Sequence, residues 1–328
     1  MSIAVNGLDA KSYYVQHRKN VSSITKKDVD NLIADTLCKF AVPNRTILHH
    51  FPVEFVVDDT NIVHDPVGMQ ATTLTCQLHL LTVNAAHLSN IISCFSDCHV
   101  KVDRVMLSIY AAGLACLNED EKSLGSMIID FGARTTSFGV FLGGQMIYAG
   151  QVPIGGWHIT SDIAKLLSVE IKTAEKLKIL YGSAVHSVLE RENIINLSQL
   201  EPNIAENDMV ITTADLCQII IPRIEEIMDY IKRDYDRIAI DHLMSRRIVL
   251  TGGSAQMRGM KELVFRYFTK QVRVAQPTLP GMSEEANMNV YSPAIGLTKH
   301  EFLRRQRESN LYSSPASFID KVWNWLRY

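Results

Sequence analysis

Asp130-Phe131-Gly132-Ala133-Arg134-Thr135-Thr136 is the stretch of this sequence that decides the fold. It joins two strand-like runs, 127–130 and 136–142, and its glycine predicts a tight hairpin. At such a hairpin the backbone can approach a phosphate closely, its amides can donate hydrogen bonds, and the aspartate can orient a water bound to magnesium. An ordinary β-turn explains the same residues equally well.

A second glycine turn stands in Leu250-Thr251-Gly252-Gly253-Ser254-Ala255. The run 247–250 predicts a strand, and a helical pattern over 261–267 follows the turn. Glycines at such a position allow a purine ring or a phosphate to lie against bare backbone. A plain strand-to-helix turn is the competing interpretation.

Two charged residues supply a third candidate contact with a nucleotide. Glu175 and Lys178 stand three residues apart in the helical segment 172–181, and therefore on one face. Such a pair could grip a ribose. Taken alone, however, the pair is more typical of a solvated ion pair on a helix surface.

The composition excludes some classes of protein. The chain has 328 residues, 47% hydrophobic and 21% charged, with a formal net charge of −2 and an isoelectric point near 6.6. A nucleic-acid binder usually carries a clear basic excess, which this sequence lacks. The length suggests several compact subdomains. We find no signal peptide in the first residues and no apolar run long enough for a membrane span.

The six cysteines lie mostly in apolar runs, which favours buried free thiols in a reducing compartment. Cys94, Cys98 and His99 could suggest a metal site. Their segment has helical periodicity, however, and no second pair of ligands follows at a zinc-like spacing. We therefore predict no metal held by the protein alone, although Asp130 could reach magnesium through water.

Residues 19–106 are predicted to form an α/β subdomain, after an edge strand in residues 1–18 that belongs to a different subdomain. Thr25 can cap a helix, since Asp28 follows at the required spacing and an apolar face comes next. Four further elements of this subdomain are expected at residues 47–59, 72–83, 85–98 and 100–106.

The remaining chain divides at the end of a three-stranded meander. Residues 107–152, which contain the meander, are predicted to complete the subdomain that residues 1–18 begin. Residues 153–300 form a second half, with a long amphipathic helix over 213–235.

The last residues predict an amphipathic helix over 317–328, after a polar linker at 301–316. The helix is too short to span a bilayer, and its tryptophans suit the headgroup boundary, so we predict that it lies in the membrane surface. Three linker arginines would attract anionic lipid. A terminal helix docked on the protein's own core is the alternative. The apolar arc of the helical wheel consists of Phe318, Ile319, Val322, Trp323, Trp325 and Leu326.

These segments together resemble a known family. The order of the hairpin, the Glu175–Lys178 helix and the late glycine loop is similar to that in the actin, Hsp70 and sugar-kinase ATPase superfamily. Within it, the chain resembles the bacterial cell-division FtsA family. The stretches that carry this resemblance are His49-His50-Phe51-Pro52-Val53-Glu54-Phe55, Asp65-Pro66-Val67-Gly68-Met69, Leu117-Asn118-Glu119-Asp120-Glu121, Ile154-Gly155-Gly156 and Ser292-Pro293-Ala294.

The resemblance implies an actin-like α/β fold, with residues 19–106 as a subdomain particular to FtsA and a site for ATP or ADP with magnesium. Its implied contacts form three groups. The second phosphate loop would contain Asp130, Gly132, Thr135 and Thr136; the ribose would meet Glu175 and Lys178; the adenosine would lie on Gly252, Gly253 and Ser254.

The resemblance also implies an adaptor rather than an enzyme, with at most weak ATPase activity. Such a protein tethers FtsZ filaments to the cytoplasmic face of the inner membrane at the division septum, self-associates into filaments and meets other division proteins. The FtsZ tail would dock on residues 180–245. A PilM-like pilus assembly protein and an actin-fold small-molecule kinase are the alternatives.

The sequence departs from the family pattern in two places. Ala133 and Arg134 stand where the family usually has glycines. No DxG(T/S) motif for a first phosphate loop precedes the family-specific subdomain. We therefore expect that two strands and half of the phosphate clamp are absent, that sheet edges are left open, and that ATP binding is weak or absent.

Overall fold

The computed structural model describes residues 1–7, 9–186, 194–197, 210–238, 247–277 and 288–313. Within these ranges the strands form a five-stranded sheet, a four-stranded sheet and two strand pairs. The strands are β1 Ser2–Val5, β2 Lys11–Asn20, β3 Arg45–Val57, β4 Asn61–Val63, β5 Thr73–Asn84, β6 Arg104–Leu107, β7 Ser126–Phe131, β8 Thr136–Leu142, β9 Gln145–Val152, β10 Ile194–Asn196, β11 Val210–Thr212, β12 Arg247–Thr251 and β13 Gln271–Val274. The helices are α1 Lys26–Lys39, α2 Ala85–Asp97, α3 Ser108–Cys116, α4 Glu119–Leu124, α5 Gly156–Leu167, α6 Ile171–Tyr181, α7 Thr213–Ile238, α8 Met260–Phe268 and α9 Ser292–Ser313.

The five-stranded sheet has the order β13-β12-β7-β8-β9. Strands β7, β8 and β9 form the predicted antiparallel meander, and β12 runs parallel to β7 with Ile248 opposite Met127. Strand β7 can occupy the centre because it is apolar on both faces. Met127 and Ile129 pack under α5 to α8, whereas Ile128 packs on the opposite face with α3.

This topology corrects the predicted division of the chain at residue 152. The meander shares its sheet with β12 and β13, so it belongs to the second half rather than to the subdomain of residues 1–18. Sequence order alone misled the prediction, since β7 pairs with a strand more than a hundred residues further on.

The four-stranded sheet has the order β2-β5-β3-β4 and is covered by α1. The predicted cap of α1 is confirmed: the Asp28 amide donates to the Thr25 hydroxyl, and the Thr25 amide donates to the Asp28 carboxylate at 3.0 Å. Leu32 is fully buried against the sheet, and Ile33 and Leu37 pack beside it. The predicted apolar face of the helix is therefore its contact with this sheet.

Strand β2 corrects the predicted boundary at residue 18. The strand pairs antiparallel with β5 along its whole length, and its Tyr13 and Val15 pack against the core of the four-stranded sheet. Only β1 stays outside, where it pairs in parallel with β6. Gly7, with a φ of +71°, lies in the connection between β1 and β2.

The four-stranded sheet docks on β9 of the five-stranded sheet. The Ala149 amide donates to the Ser12 hydroxyl at 3.3 Å, and the Tyr14 hydroxyl donates to the carbonyl of Ile147. His79 is fully buried there, with Nδ1 2.7 Å from the carbonyl oxygen of Met146. Burial lowers the pKa of His79 to about 4. In the part of the chain that the structure describes, the Nε2 atom of His79 has no hydrogen-bond partner.

Helix α9 corrects the predicted linker, because it continues to Ser313. No glycine or proline follows Gly296 until Pro315, and Glu301 pairs with Arg304 one turn later at 3.0 Å. The predicted membrane-surface helix over 317–328 lies outside the described residues. Among the helices that are described, none is long and apolar enough to cross a membrane.

Among the described residues the six cysteines form no disulfide, but only three of them are buried. Cys76, Cys116 and Cys217 lie in the core, as predicted. Cys94 and Cys98 are exposed because α2 buries Leu88 against the protein and turns these positions to solvent.

Candidate functional site

The parallel pairing of β7 and β12 brings the hairpin and the second glycine turn side by side, with Asp130 opposite Thr251. Gly252 then turns the chain with a φ of +88°. A β-carbon at this position would lie 2.5 Å from Oδ1 of Asp130 and 2.5 Å from the carbonyl oxygen of Phe131. Glycine is therefore required on steric grounds as well as for its backbone conformation.

The carboxyl group of Asp130 is partly buried beside this glycine, and burial raises its pKa to about 6. In the described ranges no hydrogen bond to this side chain is found. A carboxylate held this way can attract a cation, or it can take up a proton near neutral pH. Over the same ranges, no group of three or more His, Cys, Asp or Glu side chains is arranged to hold a metal.

The tip of the hairpin presents backbone donors. The turn is tight, since a β-carbon on Gly132 would lie 2.8 Å from the carbonyl oxygen of Thr135. Across the described structure, no hydrogen bond is found to the amides of Ala133, Arg134 and Thr135. Successive free amides in a turn form a concave donor set that suits an anion such as a phosphate.

The hairpin is fixed to the start of α5. The Gly156 amide donates to the carbonyl of Gly132 at 2.9 Å, and the Trp157 amide donates to the carbonyl of Ala133 at 2.7 Å. These two first-turn amides of α5 are thus engaged within the protein. The positive end of the helix still raises the local potential, but its amides do not face a ligand here.

The two threonines of the hairpin behave differently. Thr136 is fully buried, and its hydroxyl donates to the carbonyl of Ile154 at 2.8 Å. Its side chain therefore positions the loop after β9, and its contact with phosphate stays a prediction. Thr135 is partly exposed, and its hydroxyl accepts from Nδ2 of Asn6 at 2.9 Å. Asn6 also accepts from the hydroxyl of Ser137 at 3.1 Å.

Glu175 and Lys178 form an ion pair at 2.8 Å, and the pair is more than a solvated surface contact. Only 10% of the Lys178 side chain is exposed. Its ammonium also donates to the hydroxyl of Thr160 at 2.8 Å and to the carbonyl of Gly156 at 3.1 Å. The Thr160 hydroxyl donates in turn to the carboxylate of Glu175. Thr160 was not among the predicted site residues, because the charged pair that it contacts comes from the next helix.

Gly156 is where the predicted contacts meet. Its amide holds the hairpin, its carbonyl accepts from Lys178, and a β-carbon on it would lie 2.2 Å from the Ser254 hydroxyl oxygen. The fold therefore brings all three predicted groups together. A β-carbon on Gly253, by contrast, would have its nearest neighbour at 3.7 Å, in the side chain of Val290.

These residues fit a nucleotide. Free amides and a partly buried carboxylate lie at the hairpin, a charged pair lies on α6, and bare backbone lies at Gly252 and Gly253. The sheet order, with a phosphate-type hairpin beside a late glycine loop, defines a protein of the actin-like ATPase fold.

Comparison with known proteins identifies the family. A family model described as "Cell division protein FtsA" matches residues 127–296, and one described as "SHS2 domain inserted in FTSA" matches residues 9–82. The chain belongs to the FtsA family of cell-division proteins. The second match begins just before β2, which agrees with the corrected boundary of the four-stranded sheet.

Two curated relatives show the extent of the similarity. The Cell division protein FtsA of Rhizobium meliloti (strain 1021) is 33% identical over 255 residues, which is 77% of this chain and 58% of the relative. The Cell division protein FtsA of Escherichia coli (strain K12) is 26% identical over 317 residues, which is 93% of this chain and 75% of the relative. The chain thus spans little more than half the length of the first of these relatives.

Solved structures support the fold. The PilM-PilN type IV pilus biogenesis complex matches with a TM-score of 0.60 at 14% identity, covering 91% of this chain and 78% of that chain. MreB5 of Spiroplasma citri bound to AMPPNP matches with a TM-score of 0.53 at 19% identity, covering 69% of this chain and 66% of that chain. These likenesses concern the fold alone.

Proposed function

We propose that this protein is a cell-division adaptor that anchors FtsZ filaments to the cytoplasmic face of the inner membrane at the septum and assembles into actin-like filaments. The observation that carries the proposal is the SHS2-type sheet inserted between β1 and β6, next to an actin-like five-stranded sheet. The membership of the chain in the FtsA family of cell-division proteins also supports the proposal.

A nucleotide would regulate the adaptor. The hairpin from Asp130 to Thr135 would hold its phosphates, Glu175 and Lys178 its ribose, and Gly252, Gly253 and Ser254 its adenosine. Bound ATP or ADP with magnesium would supply negative charge that draws these segments together. In return, the amides of the hairpin and the ion pair on α6 would orient the phosphates and the sugar.

The protein would act by assembly, with at most weak ATP hydrolysis. The Glu175 carboxylate is paired with Lys178 and accepts a hydrogen bond from Thr160, which also accepts from Lys178. It is therefore not free to act as a general base. Asp130 is the remaining acidic group at the hairpin, where it would orient a water bound to magnesium beside the phosphates. These observations support an adaptor over a small-molecule kinase.

Residues 317–328 would bind the membrane surface, and residues 180–245 would receive the FtsZ tail. A single short amphipathic helix binds lipid weakly, whereas many helices on one filament bind by avidity. Filament assembly and membrane binding would therefore support one another.

The test is co-sedimentation with vesicles that contain anionic lipid. We would compare the full chain, a chain without residues 317–328 and a chain with Lys321→Gln on the polar side of the same helix, each with and without FtsZ. We expect the full chain and Lys321→Gln to pellet with vesicles and to carry FtsZ with them. Equal pelleting by the deleted chain would refute the anchor, and failure of every form to recruit FtsZ would refute the adaptor role.

A further inference from the structure

Arg134 stands at the tip of the hairpin and is not used by the site as described so far. Its guanidinium carbon lies 4.5 Å from the centroid of the Trp157 ring. Among the described residues, no ion pair or hydrogen bond engages this guanidinium. An exposed arginine whose guanidinium lies over an indole keeps N–H donors free for a ligand.

The stack is held beside the free amides. Trp157 donates its own amide to the carbonyl of Ala133, so the indole is tied to the hairpin tip. The guanidinium above it therefore stays close to a turn whose amides at residues 133–135 have no partner in the described structure. Two separate sets of N–H donors, one from the backbone and one from a side chain, thus meet at one place.

We propose that Arg134 is a specificity-determining residue that recognises the end of a polyphosphate chain, with Trp157 as its support. The guanidinium can form paired hydrogen bonds with two phosphate oxygens, and it adds a full positive charge that backbone amides lack. Asp130 lies at the base of the same hairpin, and its negative charge opposes anion binding there, so the positive charge at the tip offsets it.

This inference rests on the proposed nucleotide site, but it differs in what it requires. It requires only that a linear polyphosphate binds at the hairpin, with or without a base and a sugar. Membrane binding and FtsZ recruitment are not involved. The vesicle experiment can therefore fail while this inference holds, and the reverse is equally possible.

The stack also provides the signal for its test. The chain has three tryptophans, at positions 157, 323 and 325. In the full chain with Trp323→Phe and Trp325→Phe, Trp157 is the only indole emitter. A phosphate that binds at the edge of the stacked guanidinium changes the charge and hydration beside that indole, so its fluorescence reports binding directly.

Sodium tripolyphosphate would be titrated into this background protein and into the same protein with Arg134→Ala, Arg134→Lys or, as a matched control, Arg18→Ala. Arg18 is an exposed arginine on the four-stranded sheet that pairs with Asp59. Circular dichroism would check that each variant is folded. We expect saturable binding that weakens with salt, about tenfold weaker binding for Arg134→Ala, an intermediate loss for Arg134→Lys and no change for Arg18→Ala.

Three results would overturn the inference: no saturable signal in the background protein, equal affinity for Arg134→Ala, or equal losses for Arg134→Ala and Arg18→Ala. The third result would mean that net charge alone governs binding. Trp157→Phe should bind tripolyphosphate more weakly than Arg18→Ala does, since phenylalanine is a weaker cation–π partner for Arg134. Calorimetry would measure this variant, because the substitution removes the fluorophore.

Discussion

The buried carboxylate of Glu121 accepts two hydrogen bonds from the guanidinium of Arg273, at 2.8 and 2.6 Å, and ties the start of α4 to β13. Only 2% of the Glu121 side chain is exposed. Burial by itself raises the pKa of this carboxyl, but the hydrogen bonds that Arg273 and the Asn118 backbone amide donate to it leave the pKa lowered overall.

Replacing Glu121 by Gln should destabilise the protein by about 1.5–3 kcal/mol, because the neutral amide cannot accept the charge-assisted hydrogen bonds from Arg273 in the same way. Since the pKa of Glu121 is lowered by folding, its contribution is present above the ordinary carboxyl range and is lost as the pH falls below it. Urea unfolding at pH 7.5 and pH 4 would measure this. Asp120→Asn, at an exposed position of the same helix, is the control. A similar small loss for both variants would contradict the prediction.

Asp130→Asn should stabilise the ligand-free protein at pH 7.5 by about 1–2 kcal/mol, an estimate reduced for the partial exposure of the group. Folding raises the pKa of Asp130 to about 6, so the folded protein binds this proton more tightly than the unfolded chain. Wild-type stability should therefore rise as the pH falls from 7.5 towards 4, and the advantage of Asp130→Asn should vanish.

Thermal unfolding at several pH values would follow that advantage. Asp35→Asn, at an exposed position of α1, is the matched control and should show no such trend. An advantage of Asp130→Asn that grows as the pH falls would refute the assignment of this carboxyl.

Gly252→Ala should cost more stability than Gly144→Ala, although both glycines have a positive φ, of +88° and +80°. Strain alone costs about 1–3 kcal/mol at either position. The added β-carbon meets open space at Gly144, whereas at Gly252 it would lie 2.5 Å from Asp130 and Phe131. The difference in the free energy of unfolding between the two variants measures this close approach. Equal losses of stability for the two variants would contradict the prediction, because they would mean that the backbone around Gly252 accommodates the β-carbon without cost.

His79 should make the docking of the two sheets sensitive to acid. Folding lowers its pKa to about 4, so the stability it contributes is present above pH 6.5 and is lost as the pH falls towards 4, by about 2–3 kcal/mol. His79→Asn should be less stable at pH 7 but should lose less on acidification. The exposed His64→Asn is the control. Chemical unfolding across this pH range would measure the free energy of unfolding of each variant. If that free energy fell with pH as steeply in His79→Asn as in the wild type, the prediction would be contradicted.

Local patterns predicted the local structure. The spacing of Thr25 and Asp28 predicted the cap of α1, and the apolar face behind it predicted the contact with the four-stranded sheet. The prediction of the meander at the hairpin was also confirmed, because antiparallel strands joined by short turns are neighbours in the sequence as well as in the sheet. Glu175 and Lys178 are paired as their helical spacing suggested.

Contacts between distant segments could not be predicted in the same way. Nothing beside Asn6 in the sequence indicates that it reaches Thr135 and Ser137, and nothing beside Thr160 indicates its place between two charges of α6. The membership of β2 depended on its pairing with β5, some sixty residues away. The hydrogen bond from Thr136 to Ile154, eighteen residues further on, is likewise not indicated by the residues of the hairpin motif.

The pairing of β1 with β6 has a consequence for how the chain reaches its native state. Ser2 lies opposite Arg104 and Val5 opposite Leu107, so this parallel ladder encloses the whole four-stranded unit. Formed first, such a contact would close a loop of about a hundred residues at a high entropic cost. Once the enclosed unit has folded, its two ends are already neighbours and the effective loop is short. The nascent chain should therefore complete the inserted unit before β1 finds its partner, and delayed protection of β1 amides in pulsed hydrogen exchange would reveal that order.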